Sequence, residues 1–149
     1  MIFRKLTEDE LEELKEEFVQ YLVANGVDAP LWEQFKKDDP DKAELFLQQF
    51  SNIVIQKSLE KIEYLEHRTP SDLKLFYCGK ETIDLIAIKS SFVDLTRMAE
   101  FNTKDFKDIE IFKATKSYSK NREVELFEMT EKGCQIASHG LYDLLKQMG

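Results

Sequence analysis

Two histidines and two cysteines, His67, His139, Cys78 and Cys134, carry most of the catalytic and metal-binding potential of this chain. Imidazole nitrogen and thiolate sulfur are the ligands of tetrahedral zinc, so the four would form a Cys2His2 site if folding brought them together. Cys134 and His139 are near in sequence, and a hairpin can carry Cys78 toward His67. No C-x-x-C or H-x-x-x-H clip pre-assembles any pair, and buried cysteines are ordinarily inert small hydrophobes. His67 lies in YLEHRTPSDL with Glu63 four residues before it. On a helix that spacing puts a carboxylate and an imidazole on one face, where they can bind a metal or tune a base. The plainer reading is that His67 and Arg68 complement the negative end of a helix dipole. Glu63, His67, Arg68, Cys134 and His139 are therefore the candidate functional residues, and a metal-assisted or His-dependent enzyme centred on His67 is the alternative function.

Other chemistries find no support. The five glycines are isolated, without a phosphate-cradling G-x-G-x-x-G or Walker spacing, and there is no nucleophile elbow. Glu12, Glu13, Glu16 and Glu17 are plentiful but lie on what the periodicity makes a solvated face, where no pocket shifts a carboxyl pKa. No cofactor is expected beyond the zinc alternative. The segment from Lys104 to Arg122 has the opposite sign, with six cations against Asp105, Asp108 and Glu110 and with Phe106, Phe112 and Tyr118 interleaved. Cations between stacking aromatics suit single-stranded nucleic acid. An ordinary strand and loop would look the same, and an acidic remainder opposes long-range attraction to phosphate, so nucleic acid is not the expected partner.

The elements that must position these residues read mainly as helices. Thr7 and Glu10 form a capping box at the start of the first, with Leu6 and Leu11 placed for a hydrophobic staple. Leu11, Leu14, Phe18 and Leu22 recur at helical spacing up to Asn25, and Gly26 suits the left-handed stop. Asp28 with Pro30 opens a short second helix to about Lys37, with Trp32 and Phe35 on one side. Asp39 and Pro40 open a third, whose stripe from Ala43 through Phe50 and Val54 to Leu65 predicts a spine to about Glu66, about 40 Å long. Pro70 breaks it. Leu73 to Cys78 and Thr82 to Ile88, joined through Gly79, Lys80 and Glu81, then read as a β-hairpin that needs the spine's apolar face for support. Residues 91 to 101 read as a helix, with a strand over SFVDLT as the alternative, Ile109 to Thr115 as a third strand, and Asn121 to Lys132 as a helix stopped at Gly133, with a strand in which Val124 and Leu126 alternate as the other reading. Ser138 caps a last helix, Gly140 to Met148. The expectation is one α+β domain over 1–149: three N-terminal helices on a small antiparallel sheet, then C-terminal helices.

Composition agrees with such a domain, with 42% apolar and 34% charged residues and few Gly or Pro. The net charge of −8 is uneven, −7 over residues 1 to 75 (17 acids, 10 bases) and −1 over the rest (12 acids, 11 bases). The N-terminus reaches charge by Arg4 without a signal-peptide core, no apolar run approaches a membrane span, and two cysteines are too few for a disulfide framework. A cytoplasmic address is expected.

RKLTEDELEELKEEFVQYLVANGVDAPLW, KIEYLEHRTPSDLKLFYC and ELFEMTEKGCQI resemble a family of small uncharacterised bacterial proteins of unknown function. The resemblance spans nearly the whole chain. It implies a bacterial cytoplasmic setting and brings no activity, while singling out His67, Arg68, Gly133 and Cys134. Lack of catalytic motifs, an acidic helical N-terminus and abundant aromatics (one Trp, five Tyr, eleven Phe) together lead to a non-enzymatic protein-binding or adaptor domain, a composition shared with small acidic chaperones and toxin-neutralising proteins. The expected partner is a protein, with monomer or homodimer left open.

Overall fold

The computed structural model describes residues 3–89, 95–96 and 110–148. The chain divides into two compact units, Met1–Ser58 and Leu59–Gly149.

The first unit is helical: α1 (Glu8–Glu13), α2 (Lys15–Ala24), α3 (Ala29–Asp38) and α4 (Pro40–Glu60), the last two residues of α4 falling in the second unit. The starts of α1, α3 and α4 are set by caps legible in the sequence. The Thr7 hydroxyl accepts from the Glu10 N–H while the Glu10 carboxylate accepts from the Thr7 N–H, and Asp28 accepts from the Leu31 N–H ahead of Pro30. Arg4 also grips Glu10, at 2.8 Å. The end of α2 is a Schellman turn: the Val27 N–H reaches back to the Leu22 carbonyl at 2.8 Å, and Gly26 sits at φ 78°, where a Cβ would strain the backbone. The single first helix expected is two, because Leu14, at φ −104° and ψ 22°, departs from helical geometry without a Gly or Pro to announce it.

Aromatic rings hold this unit together. Phe18 packs on Phe50 and Trp32 at centroid separations of 5.0 and 5.3 Å, Tyr21 on Phe50 at 5.5 Å, and Phe35 on Phe46 at 6.1 Å. Stacked, tilted and edge contacts of this kind add about 0.5–1.5 kcal/mol each beyond area burial. Ser51, fully buried on α4, accepts from the Leu6 N–H and donates to the Leu47 carbonyl, which ties the segment ahead of α1 to α4.

The second unit carries β1 (Tyr64–Thr69), β2 (Asp72–Cys78), β3 (Thr82–Lys89), β4 (Glu110–Ser117), α5 (Arg122–Glu131), β5 (Gln135–Ile136) and α6 (His139–Met148). The strands form an antiparallel sheet in the order β4-β3-β2-β1-β5. Strand alternation sorts the side chains by face. Leu73, Leu75, Ile86 and Ile88 pack with Tyr142 and Leu145 of α6 and with Leu95. Leu65, Cys78, Ile83 and Ala87 are buried on the other face. Lys116 also lies on that second face and meets Glu125 of α5 at 3.5 Å.

The fold class expected from sequence, α+β with an antiparallel sheet, is thus observed, as are the hairpin, the third strand, the helix before Gly133 and the last helix. The spine is not as expected. α4 has 21 residues, about 31 Å, and stops at Glu60. The segment read as its last turn is β1, and β5 had no counterpart in the sequence reading. Ile62 and Leu65 fit a helical stripe, but Tyr64, Glu66 and Arg68 also alternate with Leu65, His67 and Thr69. Pairing of Tyr64–Thr69 with Asp72–Cys78 across the short turn at Pro70 and Ser71 decided between them. The expected helix over 91 to 101 falls outside the described residues except for Leu95 and Thr96.

Among the described residues, Glu125 is the buried carboxylate of the second unit, 8% exposed. Burial by itself raises its pKa. The Lys120 N–H, the Lys116 ammonium and the Ser119 hydroxyl outweigh that and hold it below the ordinary value of 4.5. A carboxyl lowered in the folded state contributes stability that is present above its unfolded pKa and lost as pH falls. Glu125→Gln is therefore expected to cost about 1–3 kcal/mol at pH 7. In urea titrations the gap to wild type should narrow at pH 3, and an equal gap at both pH values contradicts this account.

Candidate functional site

The residues singled out by their chemistry all lie in the second unit, on different parts of it. His67 is half-buried in β1 opposite Lys74, so Glu63 and His67 do not form a helical pair. Along extended chain, four residues span about 13 Å. Arg68, next in sequence, points to the opposite face, where it pairs with Glu66 at 3.2 Å and donates to the Leu95 carbonyl at 3.3 Å. Cys78 closes β2, and burial pushes its thiol up to about 12, which leaves it protonated and inert. The Cys134 thiol is also raised by burial. His139 opens α6, exposed, with Nδ1 3.0 Å from the Asp143 carboxylate one turn on.

One pair does come together. The register that sets Leu65 against Ile136 and Glu66 against Gln135 brings Gly133 and Cys134 alongside His67, and a Cβ on Gly133 would lie 3.6 Å from the His67 ring. His67 and Cys134 are thus neighbours, as an active centre on His67 required; Cys134 also adds to the rise of the Cys78 thiol, while Cys78 lies four strand residues from the His67–Lys74 pair and His139 opens α6 on exposed surface. Among the described residues no three His, Cys, Asp or Glu side chains could hold a metal ion. The zinc quartet fails because β2 carries Cys78 to the end of the sheet remote from the His67–Lys74 pair.

The cations of the basic segment are engaged by the protein itself. Lys113 donates to the Lys146 carbonyl, Lys116 pairs with Glu125, Lys120 with Glu128, and the Tyr118 hydroxyl donates to the Gly79 carbonyl. Arg122 donates to the carbonyls of Leu59, Ile62, Cys78 and Gly79. Groups so committed are poor phosphate ligands. Lys104 and Lys107 lie outside the described residues.

The strongest site geometry is in the first unit, in residues that the search for chemistry passed over. A groove of about 550 Å³ is lined by α2 and α3, with Glu8, Leu11 and Glu12 of α1 and Leu47 of α4 also in its wall. Leu11, Phe18, Val19, Leu22, Val23, Val27 and Trp32 give it an apolar lining. Val19 is 50% and Val23 61% exposed, so this surface is open rather than core. Glu8, Glu12, Asp28 and Glu33 stand at its margin with Lys15 and Lys36. Asp28 is occupied in capping α3, and Glu33 is paired with Lys36 at 2.9 Å. The sequence did hold a signal for it: Lys15, Val19 and Val23 repeat at i, i+4, i+8 beside the Leu11–Phe18–Leu22 stripe, which widens the apolar face beyond what one core contact needs. Among the described residues no helix is long and apolar enough to cross a membrane.

In comparison with known proteins, a family model described as a family of unknown function, DUF6495, matches residues 1–149. No curated protein matches, and no solved structure does.

Proposed function

We propose that this chain, which belongs to the DUF6495 family of unknown function, is a non-enzymatic protein-binding or adaptor domain that takes its partner in the groove between α2 and α3. The observation that carries this reading is the exposure of Val19 and Val23 beside Trp32 in a concave apolar surface with charged margins. An apolar floor inside a polar rim is the anatomy of a recognition surface: the floor supplies affinity through burial, at about 25 cal/mol per Å², and the rim supplies orientation. Trp32, stacked edge-on to Phe18 at 5.3 Å, is held rigid for the role of a binding anchor.

The test is a photo-crosslinking amino acid placed at Val23, and at Ser117 on the exposed strand β4 as a control, in cells that make the protein. A discrete protein adduct is expected from position 23 and lost when Val19→Ser is added. Adducts of equal yield from both positions, or none from position 23, would remove the groove as the binding surface.

A further inference from the structure

The groove has a shape and a charge pattern that narrow its occupant. Its two long walls are helices, and the lining residues recur along each with helical period: Lys15, Val19, Val23 with Phe18 and Leu22 on α2, and Ala29, Trp32, Lys36 on α3. Lys15 to Val23 spans about 12 Å, a little over two turns. Rows of side chains on two neighbouring helices leave a channel that receives the ridge of a third helix. An extended strand has less to bind there, because the backbone groups inside α2 and α3 are spent on their own helices. The fitting apolar pattern is therefore two to three turns of helix with anchors at i, i+4 and i+7.

Charge then selects among amphipathic helices. The first unit carries 13 acids and 7 bases over residues 1 to 58, net −6. At the groove margin Glu33 is matched by Lys36 and Asp28 is spent as a cap, while the carboxylates of Glu8 and Glu12 of α1 are exposed and, among the described residues, have no hydrogen-bond or ion-pair partner; Lys15, also exposed, offsets one of the two charges. The α1 end of the channel is thus net negative, Glu8 and Glu12 against Lys15, beside an apolar lining. Resting on the docking reading above, we infer that the groove receives a basic amphipathic helix of a partner protein, its apolar face on Val19, Val23 and Trp32 and its Lys or Arg residues toward Glu8 and Glu12. The same negative end disfavours anionic lipid.

Trp32 is the only tryptophan, so its fluorescence reports occupancy without a label. The full chain is titrated with three synthetic 14-residue helical peptides that share one leucine face and carry Lys, Glu or Gln on the other. Saturable Trp32 emission change is expected with the Lys peptide, at least about tenfold weaker binding with the Glu peptide, and loss of affinity as salt is raised. Val19→Ser with Val23→Ser should weaken the Lys peptide about tenfold or more. Glu8→Gln with Glu12→Gln should weaken it about fivefold and flatten the salt dependence. Circular dichroism checks that both variants keep their helix content. Equal binding of the three peptides overturns the basic-helix inference and leaves the docking reading standing, whereas no binding of any peptide, joined to absence of the position-23 adduct, removes both. If Glu13→Gln with Glu16→Gln, outside the groove lining, weakens the Lys peptide as much as the Glu8 and Glu12 change, binding is diffuse attraction and the inference fails. It fails also if sedimentation equilibrium finds a Val23-dependent dimer, or if vesicles with anionic headgroups change Trp32 emission at lower concentration than the Lys peptide.

Discussion

Arg122→Ala is expected to destabilise the sheet-bearing unit by about 3–5 kcal/mol, a larger loss than removal of an ordinary hydrogen bond of about 1 kcal/mol. The reason lies in what one guanidinium does. Its Nε donates to the Gly79 carbonyl at 3.0 Å, Nη2 to Cys78 at 3.1 Å and to Ile62, and Nη1 to Leu59 at 3.2 Å and to the Glu123 carboxylate at 3.4 Å. One side chain at the first position of α5 thereby satisfies the carbonyls left over where α4 ends and those of the turn between β2 and β3. Helix C-termini and turns leave such acceptors unpaired, and a planar, five-donor fork matches them as no other side chain does. The space over Arg122 is an open cleft lined by Glu60, Lys61, Lys80 and Asn121, so water will re-satisfy part of what is lost, which sets the lower end of the range. Arg122→Lys should recover little, because three donors on a point charge cannot span four carbonyls. Urea unfolding followed by circular dichroism measures both variants; a loss below about 1 kcal/mol for Arg122→Ala would mean the carbonyls do not depend on it. The turn it grips has no slack, since a Cβ on Gly79 would meet the Thr82 carbonyl oxygen at 2.8 Å.

Leu65→Ala is the second large effect, about 3–5 kcal/mol. Leu65 is fully buried and lies in β1, between Phe76 of β2 and Ile136 of β5. Truncation removes its burial and leaves a cavity that a ladder hydrogen-bonded on both sides cannot collapse to fill. The same substitution also separates the two structures that the local sequence allows. In the last turn of a long helix, alanine is the best helix former and the change would be mild. In a strand held on both edges it is severe. Thermal unfolding decides, and a fall in Tm of only a degree or two would favour the helical alternative.

The elements whose signals are local were legible. The Thr7–Glu10 box, the Asp28–Pro30 start, the Gly26 stop and the β2–β3 hairpin each depend on residues within a few positions of one another, and each formed where its sequence placed it. β1 was not legible, because Lys61 to Thr69 satisfies the helical and the extended period equally and only a neighbour some ten residues away broke the tie. β5 is two residues long and exists only because β1 offers it an edge. The candidate site divides in the same way. The acidity of the first helices is a property of composition, and so is the surplus of apolar positions around Val19 and Val23.

That these residues line one channel, with Glu8 and Glu12 unpaired among the described residues, depends on how α1, α2 and α3 are packed. The sequence by itself determined the α+β class, the caps and stops of the helices, and the charge carried by the N-terminal unit, since propensity, capping and charge act within one turn or one hairpin. The tertiary structure alone decided that His67 sits in a strand against Gly133, that Cys78 and His139 stay apart from it, and that Arg122 binds four backbone carbonyls. Those contacts join residues up to some sixty positions apart, and their energies depend on burial and register, which no local pattern of residue types encodes.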